Sequence, residues 1–515
     1  MPSIEDEEQN ALLLEDFDQV KDSPSSLSHP ERSDDFIRGP SIDDAILGKS
    51  SGLLSKSWHF TWRSIIPALA PSFLPLGQDH EPQKKRKLHP TSYLDGLRGV
   101  AAFFVYVHHF ILVWFPTLSH GYNSIPGTTS IFQAPIIRII YAGRGMVTIF
   151  FVFSGYVLSY KALRQIRKGD YEGLLNTLAS ATFRRMLRLF LPIAASTFLC
   201  MLFARWGWYV GAPTNPGITP TFFAQVRDWW LHLVAISNPT EGINGESIYA
   251  DPYGFQLWTI PREFRGSLVI YLSLLGLAKT AQLQRAILEA GLVAYTFWVG
   301  QWDLGLFLSG LMLAEMQFIR EDLACAPLFT NLGRFVPSAV QRNKNTLLHA
   351  LTFVMVVVAI HFLTFPDLSA SSTPGYSHMI SWTPPLYGSV NLTQRFWLCL
   401  GSIILVLALC LSPPIQHGST PLLQKVFNHP FSQYLANISY ALYVTHALVL
   451  WSVGGRLLSH WNVARVTSGQ YIIGFLISAV INSILCFWMS DLFWRGVDAK
   501  SVEFAKWVTD WCFIE

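Results

Sequence analysis

Ten stretches of this 515-residue chain read as apolar and long enough to cross a lipid bilayer, which points to a bundle of hydrophobic helices. At about 20 apolar residues per crossing, the spans fall near 97–115, 145–161, 187–208, 257–278, 284–300, 302–319, 347–365, 395–412, 433–453 and 470–494. Charged residues make up 14% of the chain and the mean hydropathy is +0.32, against roughly 25% charged in soluble domains. The expected fold class is all-α, a polytopic membrane protein with about ten transmembrane helices. A net charge of +3 is close to neutral and gives no reason to expect a nucleic-acid partner.

Charge placement sets the sidedness. Lys161, Arg164, Arg167, Lys168, Arg184, Arg185 and Arg188 follow the second span, so that segment reads as cytosolic, and the N-terminus with it. Alternating from there, the loop from Phe365 to Gln394 falls on the far side and holds no Lys or Arg, which predicts an even number of spans and both termini in the cytosol. Asn391 begins an Asn-Leu-Thr sequon in that loop, too near the next span for glycosylation to be expected. Only Gly300 and Gln301 separate the fifth and sixth spans, which therefore read as a tight helical hairpin or one broken pair. The run Phe222 to Ile236, with Trp229 and Trp230, reads as a surface helix on the outer side.

Three regions are expected. Residues 1–90 form an acidic tail, rich in Ser and Pro and disordered over its first half, with an interfacial segment from Ser57 to Leu76 and the basic run Lys84 to Lys87 before the first span. No apolar stretch follows a basic start, so no cleaved signal peptide is expected. Residues 91–495 carry the membrane domain, and 496–515 a short cytosolic tail. The six cysteines, Cys200, Cys325, Cys399, Cys410, Cys486 and Cys512, lack CxxC or CxxH spacing and read as small core residues; neither a metal site nor a disulfide framework is expected.

Ionisable groups at membrane depth are the candidates for chemistry. Arg98 and His109 lie eleven positions apart, about three helical turns, which puts them within roughly 20° of one face and some 16 Å apart along the axis. Asp95 shares that stripe. His108 points about 100° away, so helical geometry selects His109 as the partner of Arg98. The alternative is a buried histidine bonded to a backbone carbonyl, with Arg98 a snorkelling anchor. Glu263 follows Pro261 at the start of a span entered from the outer side. Counted from that boundary it lies roughly 9 Å deep, level with His109, where a carboxylate could orient the imidazole and stabilise its protonated form. The alternative is a helix-N-terminal carboxylate held by the dipole and by Arg262 or Arg265. His446, inside the ninth span, is a candidate for the same cavity. Asp303 and Glu315 read as boundary charges, and Ser154, Gly155 and Tyr156 as marks of close helix packing. Ser154 has no GxSxG elbow, and phosphate-loop, dinucleotide and HExxH signatures do not occur.

Four blocks, YLDGLRGVAAFFVYVHHF from Tyr93, GMVTIFFVFSGYVLS from Gly145, LWTIPREFRGSL from Leu257 and ISYALYVTH from Ile438, together resemble the acyltransferase 3 family of integral-membrane O-acyltransferases. They occur in the family's order and spread over nearly all of the chain after the tail. The double histidine and the long polar tail resemble the fungal branch. The resemblance implies about ten spans and transfer of an acyl group, often acetyl, from acyl-CoA as co-substrate to a hydroxyl, with no bound cofactor. It places the family's histidine on His109 with His108 beside it, its arginine on Arg98 and its acidic residue on Glu263. Arg262 departs from the family's usual apolar residue, and if it pairs with Glu263 the carboxylate is an electrostatic element and not a base. Arg184, Arg185 and Arg188, on the cytosolic loop, are candidate contacts for the donor's phosphates as well as positive-inside residues.

The expected acceptor is a small hydrophobic alcohol of fungal secondary metabolism, with a cell-wall or surface polysaccharide as the second choice. A proton-coupled transporter using Arg98, His109 and Glu263 is the alternative from another class; it would call for internal repeats, and none is visible. The endoplasmic reticulum or another endomembrane is the expected location, ahead of the plasma membrane.

Overall fold

A computed structural model describes residues 69–72, 91–240, 249–325, 338–414, 420–461 and 467–513. The acidic tail, most of the interfacial segment and the basic run before the first span lie outside the described residues, as does the side chain of Cys325. Helices occupy all ten expected positions: α1 (Ser92–Trp114), α2 (Gly143–Lys168), α3 (Tyr171–Arg205), α5 (Ile260–Leu277), α6 (Gln282–Trp298), α7 (Trp302–Cys325), α8 (Ser338–Leu363), α9 (Val390–Leu411), α10 (Pro430–Val449) and α11 (Ser468–Phe493). Among the described residues, eight helical stretches are long and apolar enough to cross a membrane. α5 and α6 are not among them: α5 carries Arg262, Glu263 and Arg265 within its 18 residues, and α6 is only 17 residues long. The protein is thus an all-α, multi-pass membrane protein.

The amphipathic helix α4 (Phe222–Ile236) forms where expected: Thr221 caps it by accepting a hydrogen bond from the Ala224 amide, and Trp229 donates its indole N–H to Thr197 of α3. α6 and α7 make the tight hairpin. Gly300 adopts φ +78°, and the amides of Gly300 and Gln301 return to the carbonyls of Phe297 and Thr296, the Schellman closure that a left-handed glycine permits. α3 starts at Tyr171 and not near residue 187, so Arg184, Arg185 and Arg188 sit within a helix and not on a loop. At the other end, a π-turn over Trp494–Asp498 leads from α11 into α12 (Ala499–Cys512), so the expected tail is helical and packs on α3.

Small residues set the central contacts. A Cβ on Gly96 would lie 1.9 Å from the Phe427 carbonyl oxygen, and one on Gly99 would lie 2.3 Å from the Ala436 nitrogen. α1 therefore touches the backbone of α10. Gly155 of α2 and Gly310 of α7 interlock in the same way, each against the other helix's backbone. These approaches leave no room for an aliphatic layer between α1, α2, α7 and α10, which lets long side chains reach across.

Candidate active site

A column of polar side chains runs along α10. Arg98 of α1 donates to the Ala436 carbonyl at 3.0 Å, lies 3.8 Å from Asp95 and rests over the Phe153 ring at 5.5 Å. Further along, the Tyr443 hydroxyl lies 2.6 Å from Thr259 Oγ1 and donates to the Gln256 carbonyl. Beyond it, His446 stacks on His109 with ring centroids 5.4 Å apart and planes within 15°. Arg98 to His109 and Ala436 to His446 are eleven and ten residues, each about 15 Å of rise, so two parallel helices carry the arginine level and the histidine level in register.

At the outer level, His109 also meets the edge of Phe255 at 4.9 Å and its neighbour His108 at 5.0 Å. His108 turns away, as the helical period predicts, and its Nδ1 lies 2.7 Å from the Tyr141 carbonyl oxygen. His446 Nδ1 lies 3.1 Å from the Leu442 carbonyl oxygen. A carbonyl only accepts, so in both rings the proton is on Nδ1 and Nε2 keeps its lone pair. His446 Nε2 is buried and has no hydrogen-bond partner. An unpaired buried acceptor costs about 1–3 kcal/mol, which a hydroxyl donor at that position would recover. His109 is half-buried while His446 is 1% exposed, so His109 is the more accessible residue of the stacked pair.

Glu263 is not at this level. Its Oε1 accepts from Ser154 Oγ at 2.9 Å and from Arg185 Nη2 at 2.6 Å, while Arg185 Nε donates to Ser267 Oγ at 2.9 Å. Ser154 stands eleven residues further along α2 than Gly143, whose Cβ position abuts His108, so the carboxylate lies on the order of 16 Å deeper by the α2 count. The expected match in depth fails for a local reason: Phe255–Thr259 forms a 3-10 turn that is already inside the bundle, and α5 starts only beyond it. Arg262 does not pair with Glu263 either. It and Arg265 both turn to Asp303 Oδ2, the former at 3.5 Å. Asp303 and Glu315 are therefore not boundary charges: both are 0% exposed, and Glu315 binds Arg285 at 2.7 Å. Ser154 likewise marks more than close packing, a task that falls to Gly155.

The structure thus brings His108, His109 and His446 together, and separately gathers Glu263 with Arg185, with Arg98 and Asp95 further toward the start of α1. An outer ion cluster escaped the sequence reading. Arg138 and Arg144 flank Asp367 at 3.3 Å each, and Gln394 donates to the same carboxylate at 2.8 Å. Burial alone would raise the Asp367 carboxyl, but the two guanidiniums hold it below the usual carboxylate range. The signal available in the sequence was an arginine in the apolar run IIRIIY; in the structure Arg138 is 2% exposed.

A family profile described as an acyltransferase domain matches residues 91–491. The chain is 30% identical over 463 residues to the O-acetyltransferase PaAT-1 of Phomopsis amygdali, covering 85% of this chain and 87% of that protein. It is 25% identical over 424 residues to the acyltransferase clz18 of Cochliobolus lunatus, covering 73% and 86%, and 23% identical over 438 residues to the acyltransferase R4 of a Phoma species, covering 76% and 90%. No solved structure matches the chain.

Proposed function

Because this chain belongs to the acyltransferase 3 family and is a membrane acyltransferase, we propose that it carries an acyl group, acetyl by preference, from acyl-CoA to a hydroxyl of a small hydrophobic acceptor. The observation that carries the reading is the polar column from Arg98 to the His109–His446 stack, where α1 and α10 bring the arginine and the paired imidazoles into register. The donor enters from the cytosolic end, where Arg98, Arg184, Arg185 and Arg188 supply cations for its phosphates. This assumes ten spans, α5 and α6 among them, with both termini in the cytosol.

The acceptor approaches His109, the more accessible residue of the pair. His109 takes the hydroxyl proton, the acceptor oxygen bonds to the thioester carbonyl carbon, the C–S bond breaks, and the proton passes to the coenzyme A sulfur. His446, with its bare Nε2, positions the His109 ring and offers a second lone pair. Glu263, ion-paired with Arg185, is an electrostatic element that fixes Arg185 in the donor passage and does not orient the imidazole. An endomembrane such as the endoplasmic reticulum supplies both cytosolic acyl-CoA and hydrophobic alcohols, and we assign the protein there. PaAT-1, described as an O-acetyltransferase, supports acetyl as the group transferred.

The test offers radiolabelled acetyl-CoA and a panel of terpenoid and polyketide alcohols to detergent-purified protein. The wild type is expected to form labelled ester, and His109→Ala to lose about 10²- to 10⁴-fold in rate with an unchanged melting temperature. Equal rates in both proteins would remove His109 from the chemistry. Deleting the gene and comparing extracted metabolites with wall acetyl content then separates a small acceptor from a polysaccharide.

A further inference from the structure

One cation in the outer half of the bundle has a place but, among the described residues, no ion pair. Arg395 of α9 lies over Trp302 at 4.6 Å and over Trp258 at 5.2 Å from ring centroids. Arg262 lies over the same two rings at 5.2 and 5.8 Å. Asp303 is the nearby acid, and its Oδ2 is engaged by both Arg262 and Arg265. Among the described residues no carboxylate comes within ion-pair reach of Arg395. Its Nη1 is buried without a hydrogen-bond partner, and so is the indole Nε1 of Trp302, the ring on which it stacks. Two buried donors on stacked neighbours lack an acceptor, which a bound oxygen would supply to this cradle.

Ring contacts alone do not explain the arrangement. A cation over an aromatic face gains about 0.5–2 kcal/mol, but it leaves the planar fork of N–H donors unsatisfied, and charged groups at membrane depth ordinarily pair or serve a ligand. Position ties the cradle to the chemistry. Trp258 and Phe255 are three residues apart on one 3-10 turn, where side chains three apart eclipse with about 6 Å of rise. Phe255 carries the edge contact to His109, so the turn that holds the arginine cradle also abuts the histidine stack.

We propose that Arg395, with Trp302 Nε1 and the two indole faces, is a carboxylate-binding subsite for the acceptor, so that this enzyme takes a hydrophobic hydroxy acid whose anionic end sits at Arg395 while its hydroxyl reaches His109. The proposal deepens the acyl-transfer reading and rests on it for the role of the hydroxyl. The bidentate match of guanidinium and carboxylate gives the subsite its selectivity over an ester or an alcohol of equal length. The aromatic faces take the first methylenes of the chain.

The experiment measures binding and turnover separately, using radiolabelled ω-hydroxydodecanoate and its methyl ester as probes on the purified full-length protein. In equilibrium binding the acid is expected to bind wild type at least about tenfold more tightly than the ester, or 1.4 kcal/mol. Arg395→Gln brings that ratio near one, and Arg395→Lys, which keeps the charge and loses the fork, falls between them. Equal affinity of acid and ester for the wild type overturns the proposal without recourse to a variant, as does a preference for the acid that Arg395→Gln retains. Turnover with acetyl-CoA reports on the other reading: preferential binding of the acid with no ester formed would leave the subsite standing and remove the acyl-transfer assignment of its hydroxyl.

Discussion

The Glu263–Arg185 network and the outer cluster of rings differ in how completely their polar atoms are partnered. At the inner level Glu263, Arg185, Ser154 and Ser267 close on one another through an ion pair and three further hydrogen bonds. At the outer level His446 Nε2, Trp302 Nε1 and Arg395 Nη1 are buried and bond to nothing. A closed network holds helices in place, whereas bare donors and acceptors cost stability that a bound substrate repays. The difference assigns the inner carboxylate to organisation and the outer rings to reaction.

Glu263→Gln breaks the inner level most severely. It strips Arg185 of its counter-ion, and removing one partner of a buried ion pair costs about 3–5 kcal/mol; with both side chains 19% exposed, the lower end is expected. Denaturation in detergent should show that loss, and the double variant with Arg185→Gln should recover part of it. A Glu263→Gln protein as stable as wild type, but inactive, would instead make the carboxylate a direct participant.

Next in size is a pH effect from the outer loops. Asp251, between α4 and α5 and 1% exposed, has its carboxyl raised by burial to about 6, despite a hydrogen bond from the Tyr253 amide. The folded state therefore binds this proton more tightly than the unfolded chain. Stability is full below about pH 4, falls by about 3 kcal/mol as pH rises to about 6, and is flat beyond. Asp251→Asn should flatten that window in melting curves taken from pH 4 to 7. An unchanged slope would show that other groups set it.

Gly99→Ala couples the two levels, since its Cβ would meet the Ala436 backbone and push α1 from α10. Overpacking of this kind costs about 1–3 kcal/mol. It should also separate His109 from His446, so the rate is expected to fall further than Thr221→Ala lowers it, a cap loss of about 1 kcal/mol remote from the column. Equal rates in the two variants would deny the stack a role.

The bundle was legible because a bilayer demands long apolar runs, and because α-helical periodicity alone separates His109 from His108 and aligns it with Arg98. Depth was not legible. The 3-10 turn before α5 shifts Glu263 inward, and nothing in FQLWTIPRE distinguishes the five residues of that turn from a helix beginning at the membrane surface. Partners distant in sequence escaped for the same reason: Arg185 meets Glu263 across 78 positions, a choice made by the packing of α3 on α5. Arg395 left a trace in the sequence as well, an arginine at the outer edge of the apolar span that begins at residue 395.

The dependence of the acetyl-transfer rate on pH, measured for wild type and Glu263→Gln side by side, tests the division most directly. If the proton leaves through the outer histidines and Glu263 only organises the inner level, the rate drops in the variant while the midpoint of the acid limb stays within about 0.3 unit of wild type. A midpoint displaced downward by a unit or more, about 1.4 kcal/mol of direct interaction, would put the carboxylate against the imidazole and contradict the account.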